Sequence, residues 1–198
     1  MKLQDIFKQW LFRFGRDEKL PVVLNQRRIF ILPTRAGLLY GVVLIVMLLG
    51  AINYNLDLGH ALVFLLAGLG IVAMVHTFRN LLALRLWPGR SEPVFAGETA
   101  HFTLYLDNPR PYPRQALSLA IGKNESVSVD ISATEQNIIP VPCTTDQRGW
   151  FDPGRITLSS IYPLCLFRAW SYPHPPLSCL VYPKPIETPL PPASLVWE

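Results

Sequence analysis

The side chains of this sequence with chemistry to offer are a few thiols and imidazoles, and their spacing gives that chemistry little outlet. Cys143, Cys165 and Cys179 form an odd set with no CxxC pair and no histidine at short spacing, so neither a redox dithiol nor a tetrahedral metal site follows from them. A thiol nucleophile needs a base beside it. Cys165 and Cys179 have none nearby in sequence, and reduced, partly buried structural thiols are the favoured reading. His101 falls on an exposed strand face and His174 in a proline-rich turn, without metal-ligand spacing, while His60 and His76 flank an apolar run as interfacial side chains. No GxSxG, HExxH, P-loop or GxGxxG occurs. The expectation is a protein that is not an enzyme, with no catalytic residue, no metal and no cofactor.

Two other constellations could recognise a partner instead of reacting with it. Asn53, Asn55 and Asp57 gather polar groups between two apolar runs, where they could meet an ion or substrate; a helix N-cap at Asp57 is the favoured reading. Arg148, Trp150, Phe151, Phe167 and Trp170 have the composition of a protein-contact patch. Turn and core packing is the stronger claim on these five, because a sandwich needs large aromatics inside.

The elements that position these residues begin with a charge-free run, Ala36 to Ile52, and a second, Ala61 to Val75. With its flanks the first covers a hydrocarbon core of about 30 Å at about 1.5 Å per residue. The second is extended through His76 and Phe78. Unsatisfied backbone groups in lipid cost several kcal/mol each, so both runs are expected as helices, spanning about 35–54 and 60–79 and joined by a short polar tip. Gly37 and Gly41 form a GxxxG, with Ala67, Gly70 and Ala73 on the other run, which suits close packing within the hairpin or in a homo-oligomer.

Charge sets the expected orientation. Met1 to Arg35 holds eight Lys and Arg against three acids, the tip holds no basic residue, and Arg79, Arg85 and Arg90 follow the second run. Both termini are therefore expected in the cytoplasm of a multi-pass inner-membrane protein, with the lipid bilayer as one partner. The basic excess sits beside apolar spans, where it serves topology and anionic headgroups better than a phosphate backbone, so no nucleic acid is expected. The apolar run begins some 35 residues in, which argues against a signal peptide. Leu3, Ile6, Phe7, Trp10, Leu11 and Phe14 recur at helical spacing among basic residues, so residues 1–30 read as a basic amphipathic segment. Its apolar face either lies in the headgroup layer or packs on the protein's own domain.

After the hairpin, residues 31–82, the pattern becomes short alternating runs between turn residues. Ala100, Phe102, Leu104 and Leu106 share one face of the clearest run, which ends at Asp107-Asn108-Pro109. Pro140 and Pro142 within one run point to a sheet edge. Seven or eight strands over 83–184 predict an immunoglobulin-like β-sandwich of two antiparallel sheets, and 185–198 a proline-rich tail or linker. The fold class is thus membrane-anchored all-β: a transmembrane helical hairpin followed by a sandwich.

The order of several short stretches resembles a known family. Asn53-Tyr54-Asn55, Arg79-Asn80-Leu81, Gly97-Glu98, Asp107-Asn108, Arg148-Gly149-Trp150-Phe151, Gly154-Arg155, Tyr162 to Trp170 and Val181-Tyr182-Pro183 look like the N-terminal portion of the bacterial domain of unknown function 58 family, over about residues 28 to 185. The resemblance implies a membrane hairpin and sandwich that precede a von Willebrand factor A-like domain. Since 198 residues end before such a domain, a truncated member is expected, and no metal-adhesion site carries over. It also implies an association with MoxR-type AAA ATPases. Members carry Gly where Cys165 stands, which implies a turn needing backbone freedom. The expected function is a non-enzymatic membrane-anchored scaffold or adaptor with a cytoplasmic sandwich and a protein partner; the alternative is a small transport or signalling subunit acting through its hairpin.

Overall fold

The structure, a computed structural model, describes residues 20–185 apart from Lys123 and Asp146. Of the amphipathic N-terminal segment assigned to 1–30, residues 1–19 lie outside the described residues, as does the tail from residue 186 onward; residues 20–30 are described and, contrary to that assignment, hold a strand at Val22–Val23, a 3-10 turn at Gln26–Arg28 and the start of another strand at Phe30.

Two helices form the hairpin, α1 (Arg35–Asn53) and α2 (Asp57–Leu81), joined by only three residues. Both are long and apolar enough to cross a membrane, and they are apolar on nearly all sides, so neither turns a greasy face inward and a polar face out. Thr34 caps α1, its hydroxyl accepting from Gly37 N at 3.1 Å. Asn55 turns the chain at φ 48°, a left-handed conformation that Asn tolerates better than most residues. At the start of α2 the structure corrects the cap assigned to Asp57. The carbonyl of Leu56 accepts the first helical bond from His60 N at 3.1 Å, which makes Leu56 the cap residue, and no side chain caps the helix. Asp57 lies one residue later, in the first turn, where its charge meets the positive end of the helix. The helices touch through small residues: Gly59 beside Ala51, and Gly70 beside the ring of Tyr40, whose hydroxyl donates to Leu66 O at 2.6 Å. Gly41 has open space around it, so the GxxxG does not mediate this packing.

The described residues include twelve strands. Two precede the hairpin, β1 (Val22–Val23) and β2 (Phe30–Pro33); then come β3 (Arg85–Pro88), β4 (Val94–Phe95), β5 (Thr99–Asp107), β6 (Arg114–Ile121), β7 (Val127–Ile131), β8 (Gln136–Thr144), β9 (Gly149–Phe151), β10 (Ile156–Ser160), β11 (Phe167–Ser171) and β12 (Cys179–Tyr182). Of these, β2, β6, β10 and β11 contact the helices. They build a four-stranded sheet, β1-β3-β5-β8, a five-stranded sheet, β2-β11-β10-β6-β7, and a three-stranded sheet, β4-β12-β9. Pairing is antiparallel except between β12 and β4. The expectation of two sheets thus gives way to three in a sandwich-like arrangement, because β4 and β9 pair with β12 and with no strand of the larger sheets.

The core follows the alternation of the strands. Ala100, Phe102, Leu104 and Leu106 of β5 are sealed from solvent with Leu117, Leu119 and Ile121 of β6 and Ile156 and Leu158 of β10. β8, with Pro140 and Pro142, lies at the edge of its sheet as those prolines require. Leu81, Leu84 and Leu86 are fully buried in the same cluster, so the chain leaving α2 enters the core directly.

Candidate functional site

The five candidate contact residues fall on two sheets. Trp150 and Phe151 lie on β9 and Phe167 and Trp170 on β11, while Arg148 is exposed just before β9. On β11, Trp170 stacks on Phe30 at 5.9 Å and Phe167 pairs with Pro33, so both serve the contact with β2. On β9 the strand's alternation splits its two aromatics. Phe151 packs against the core, its ring 6.2 Å from Phe102, whereas Trp150 is 78% exposed.

Trp150 has company on its own face. It stands opposite Leu180 of β12; Tyr182, two residues on, shares that face and stands opposite Phe95 of β4. The rings of Phe95 and Tyr182 are 6.0 Å apart, and the two residues are 41% and 44% exposed. The reverse face of the same sheet buries Cys179 and Val181. Three strands therefore present Trp150, Leu180, Tyr182 and Phe95 outward, with Arg148 beside them in the chain. Sequence reasoning does not single out Phe95, because two-residue β4 shows no alternation, nor Leu180 and Tyr182, whose strand is legible but whose pairing with β9 and β4 is not; the repeated aromatic after Val in Val94-Phe95 and Val181-Tyr182 is the available signal.

Asn53, Asn55 and Asp57 are all exposed at the tip of the hairpin, at the end of α1, in the turn and at the start of α2. They share the tip, remote in the fold from the aromatic face.

A third group joins hairpin to sheets, and only part of it was visible in the sequence. The β6 and β7 register shifts between Arg114 and Leu117, with Ala116 at φ 50° and its N–H donating to Asp130 Oδ1 at 2.7 Å. This bulge reverses the alternation of β6 and turns Arg114 inward beside Leu117. The Arg114 side chain is fully buried: Nε donates to Asn108 Oδ1 at 3.2 Å, Nη2 to Leu82 O at 2.7 Å, and Nη1 to Arg79 O. Its guanidinium thus closes carbonyls left open at the end of α2, where the negative end of the helix favours a cation. Asn108, also fully buried, donates to Tyr112 O and Ser132 O at 2.8 and 3.0 Å. Asn80 donates to Ser160 Oγ at 2.7 Å and to Gln115 O at 2.7 Å.

The loop between β10 and β11 makes the second half of this junction. Thr77 donates to Tyr162 O at 2.8 Å from α2, and Thr34 donates to Leu166 O at 3.1 Å from the start of α1. Gly37 lets α1 lie on this loop, since a Cβ there would overlap the Leu166 carbonyl oxygen. Cys165 sits in the loop at φ 55°, exposed, in the left-handed region, where the resemblance implied a turn that needs backbone freedom.

No protein-family model matches the chain, and no curated protein matches it.

Proposed function

We propose that the chain is a non-enzymatic membrane-anchored scaffold: α1 and α2 span the bacterial inner membrane, both termini are cytoplasmic, and the β-sheets present an aromatic face to a protein partner. The uncovered surface of the hairpin supports the anchor. Eight large apolar residues of α1 and nine of α2 are exposed, and burying each one contributes about 1.5–3 kcal/mol. That sum exceeds the entire net stability of an ordinary domain, roughly 5–15 kcal/mol, so a chain with this surface in water would associate or insert. The excess of basic residues ahead of α1 supports the orientation.

The outward face of Trp150, Leu180, Tyr182 and Phe95 carries the scaffold reading. Aromatic side chains held rigid on a sheet, with an exposed arginine next to them in the chain, are the kind of anchor that protein partners bury. The sandwich-like sheets are in keeping with the immunoglobulin-like topology expected from the strand pattern, and the resemblance to the domain of unknown function 58 family makes a MoxR-type AAA ATPase the partner to look for first.

Pull-down from detergent-solubilised membranes, with and without nucleotide, tests the reading. Wild type should recover a protein partner and Trp150→Ser should lose it with an unchanged thermal midpoint. Recovery of nothing by wild type, or equal recovery by the variant, ends the proposal. A reporter fused after Glu198 should be active only in the cytosol.

A further inference from the structure

Beside the buried Arg114, the end of α2 and the β5–β6 connection enclose an open cleft of about 360 Å³, lined by His76, Arg79, Asn80, Tyr112, Pro113, Arg114 and Tyr162. Its charge is one-sided. The guanidinium of Arg114 lies 4.6 Å from the centre of the Tyr112 ring and that of Arg79 5.3 Å from it. Burial pushes the Tyr112 phenol up, yet a hydrogen bond from Arg79 and the charges of Arg114, Arg79 and Arg110 outweigh it and hold the phenol below its usual value. Among the described residues no carboxylate pairs with Arg79, Arg110 or Arg114; Arg114 is met by carbonyls, an amide oxygen and the Tyr112 ring. Gathering cations around one ring without a counter-ion is unfavourable unless an anion completes the group.

The surroundings identify the anion. Val72 and Val75 lie four residues before His76 and Arg79, hence on the same side of α2, and both are exposed. The cleft therefore continues into an apolar helix surface. On its other wall Tyr162 belongs to the loop that also exposes Ile161 and Leu164. A free phosphate has no use for that apolar extension; a phospholipid does, with its phosphate among Arg79, His76 and the phenol of Tyr112 and its acyl chains along Val72 and Val75. From the juxtaposition of this basic cleft, which no described carboxylate neutralises, with the exposed apolar side of α2 we infer that the cleft binds the headgroup phosphate of an anionic phospholipid. The inference rests on the proposal that the hairpin spans the membrane, which sets His76 and Arg79 at the level of the headgroups, where the charge-free stretch of α2 ends.

The test uses the full chain, delipidated in detergent, and native mass spectrometry with added phosphatidylglycerol or phosphatidylcholine. Wild type should retain phosphatidylglycerol preferentially. Arg79→Gln should weaken that retention about fivefold, the effect of one arginine near an anionic surface, and leave phosphatidylcholine unchanged. Arg85→Gln removes the same charge outside the cleft, from a residue 48% exposed, and should change nothing. Equal loss in both variants, no loss in Arg79→Gln, or displacement of the lipid by inorganic phosphate as effective as by phosphatidylglycerol would each overturn the inference. Alkaline carbonate extraction of wild-type membranes separates the two readings: a chain that stays in the membrane without preferring the anionic lipid loses the cleft alone, and a chain that is extracted loses the anchor as well.

Discussion

A guanidinium sealed from water is tolerated only where its donors find acceptors, and those of Arg114 are drawn from both halves of the molecule: Asn108 at the end of β5 and two carbonyls at the end of α2. Burial pulls its pKa below the usual value, with Tyr112 opposing in part; a guanidinium in a protein nevertheless keeps its charge, so the cost of removing its partners is high. Arg114→Met should lower stability by about 3 kcal/mol, since it strands the helix-end carbonyls and Asn108 together. Arg114→Lys should recover little, because an ammonium cannot reach acceptors arranged for a fork; denaturant unfolding in detergent measures both. The thiols give a second test. Burial pushes the Cys179 thiol up, with a smaller opposing effect from the Val94 backbone, and its Sγ donates to Glu92 O at 3.1 Å. A neutral thiol favoured by the fold contributes stability below its unfolded pKa that is lost as pH rises toward the folded one, so alkaline solution should weaken the β-sheets, and Cys179→Ala should flatten that dependence. A maleimide at neutral pH should mark the exposed Cys165 first and Cys143 and Cys179 only on unfolding. Cys165→Gly, relieving a left-handed φ, should raise stability by about 1 kcal/mol; a fall would show that its side chain holds the turn. In the sequence the turn at Cys165 was legible through the resemblance. Arg114 was not, because a charged residue ahead of an alternating run reads as solvent-exposed until a bulge reverses the pattern.

At the scale of elements, hydropathy and alternation carried the reading wherever an element was long. The apolar runs became α1 and α2, and the four inward residues of β5 are all sealed. Both signals fail over two or three residues, which is why β1, β4 and β9 could not be read and why two sheets were expected where three exist. The tip is shorter than expected because α2 begins at Asp57 and takes in Asp57, Leu58 and Gly59, which fall between the expected spans of 35–54 and 60–79. The GxxxG shows a different limit: spacing identifies small residues and says nothing of what lies against them. Gly37 faces the β10–β11 loop and Gly41 faces nothing. Gly37→Ala should therefore force α1 off the loop, weaken the Thr34 contacts and lower the melting temperature, while Gly41→Ala should be neutral or slightly stabilising through helix propensity. Equal effects at the two positions would restore a shared helix-packing role for the pair.

The molecule as a whole is not an anchor with a domain strung after it, because the chain ahead of the hairpin returns to the sheets. β1 pairs with β3 and β2 with β11, so the hairpin is inserted between strands of one folded body. Val22 and Leu24 are buried in the same core as Leu84 and Leu86. A fragment starting at residue 83 would lose both leading strands, uncover the β11 edge where Trp170 stacks on Phe30, and leave Arg114 without the carbonyls of Arg79 and Leu82. Each loss costs on the order of 1–3 kcal/mol, and together they approach the roughly 5–15 kcal/mol available to a domain. Residues 83–185 alone should accordingly fail to fold cooperatively, aggregating through the bared strand edges, whereas residues 20–185 in detergent should melt in one transition that carries helix and sheet signals together. Circular dichroism of the two fragments decides it. If residues 83–185 melt cooperatively at the temperature of the longer fragment, the sheets stand independently of the hairpin and the junction at Arg114 couples nothing. If they do not, the proposed contact face and the proposed lipid cleft belong to the same folding unit, and a ligand at one would alter affinity at the other.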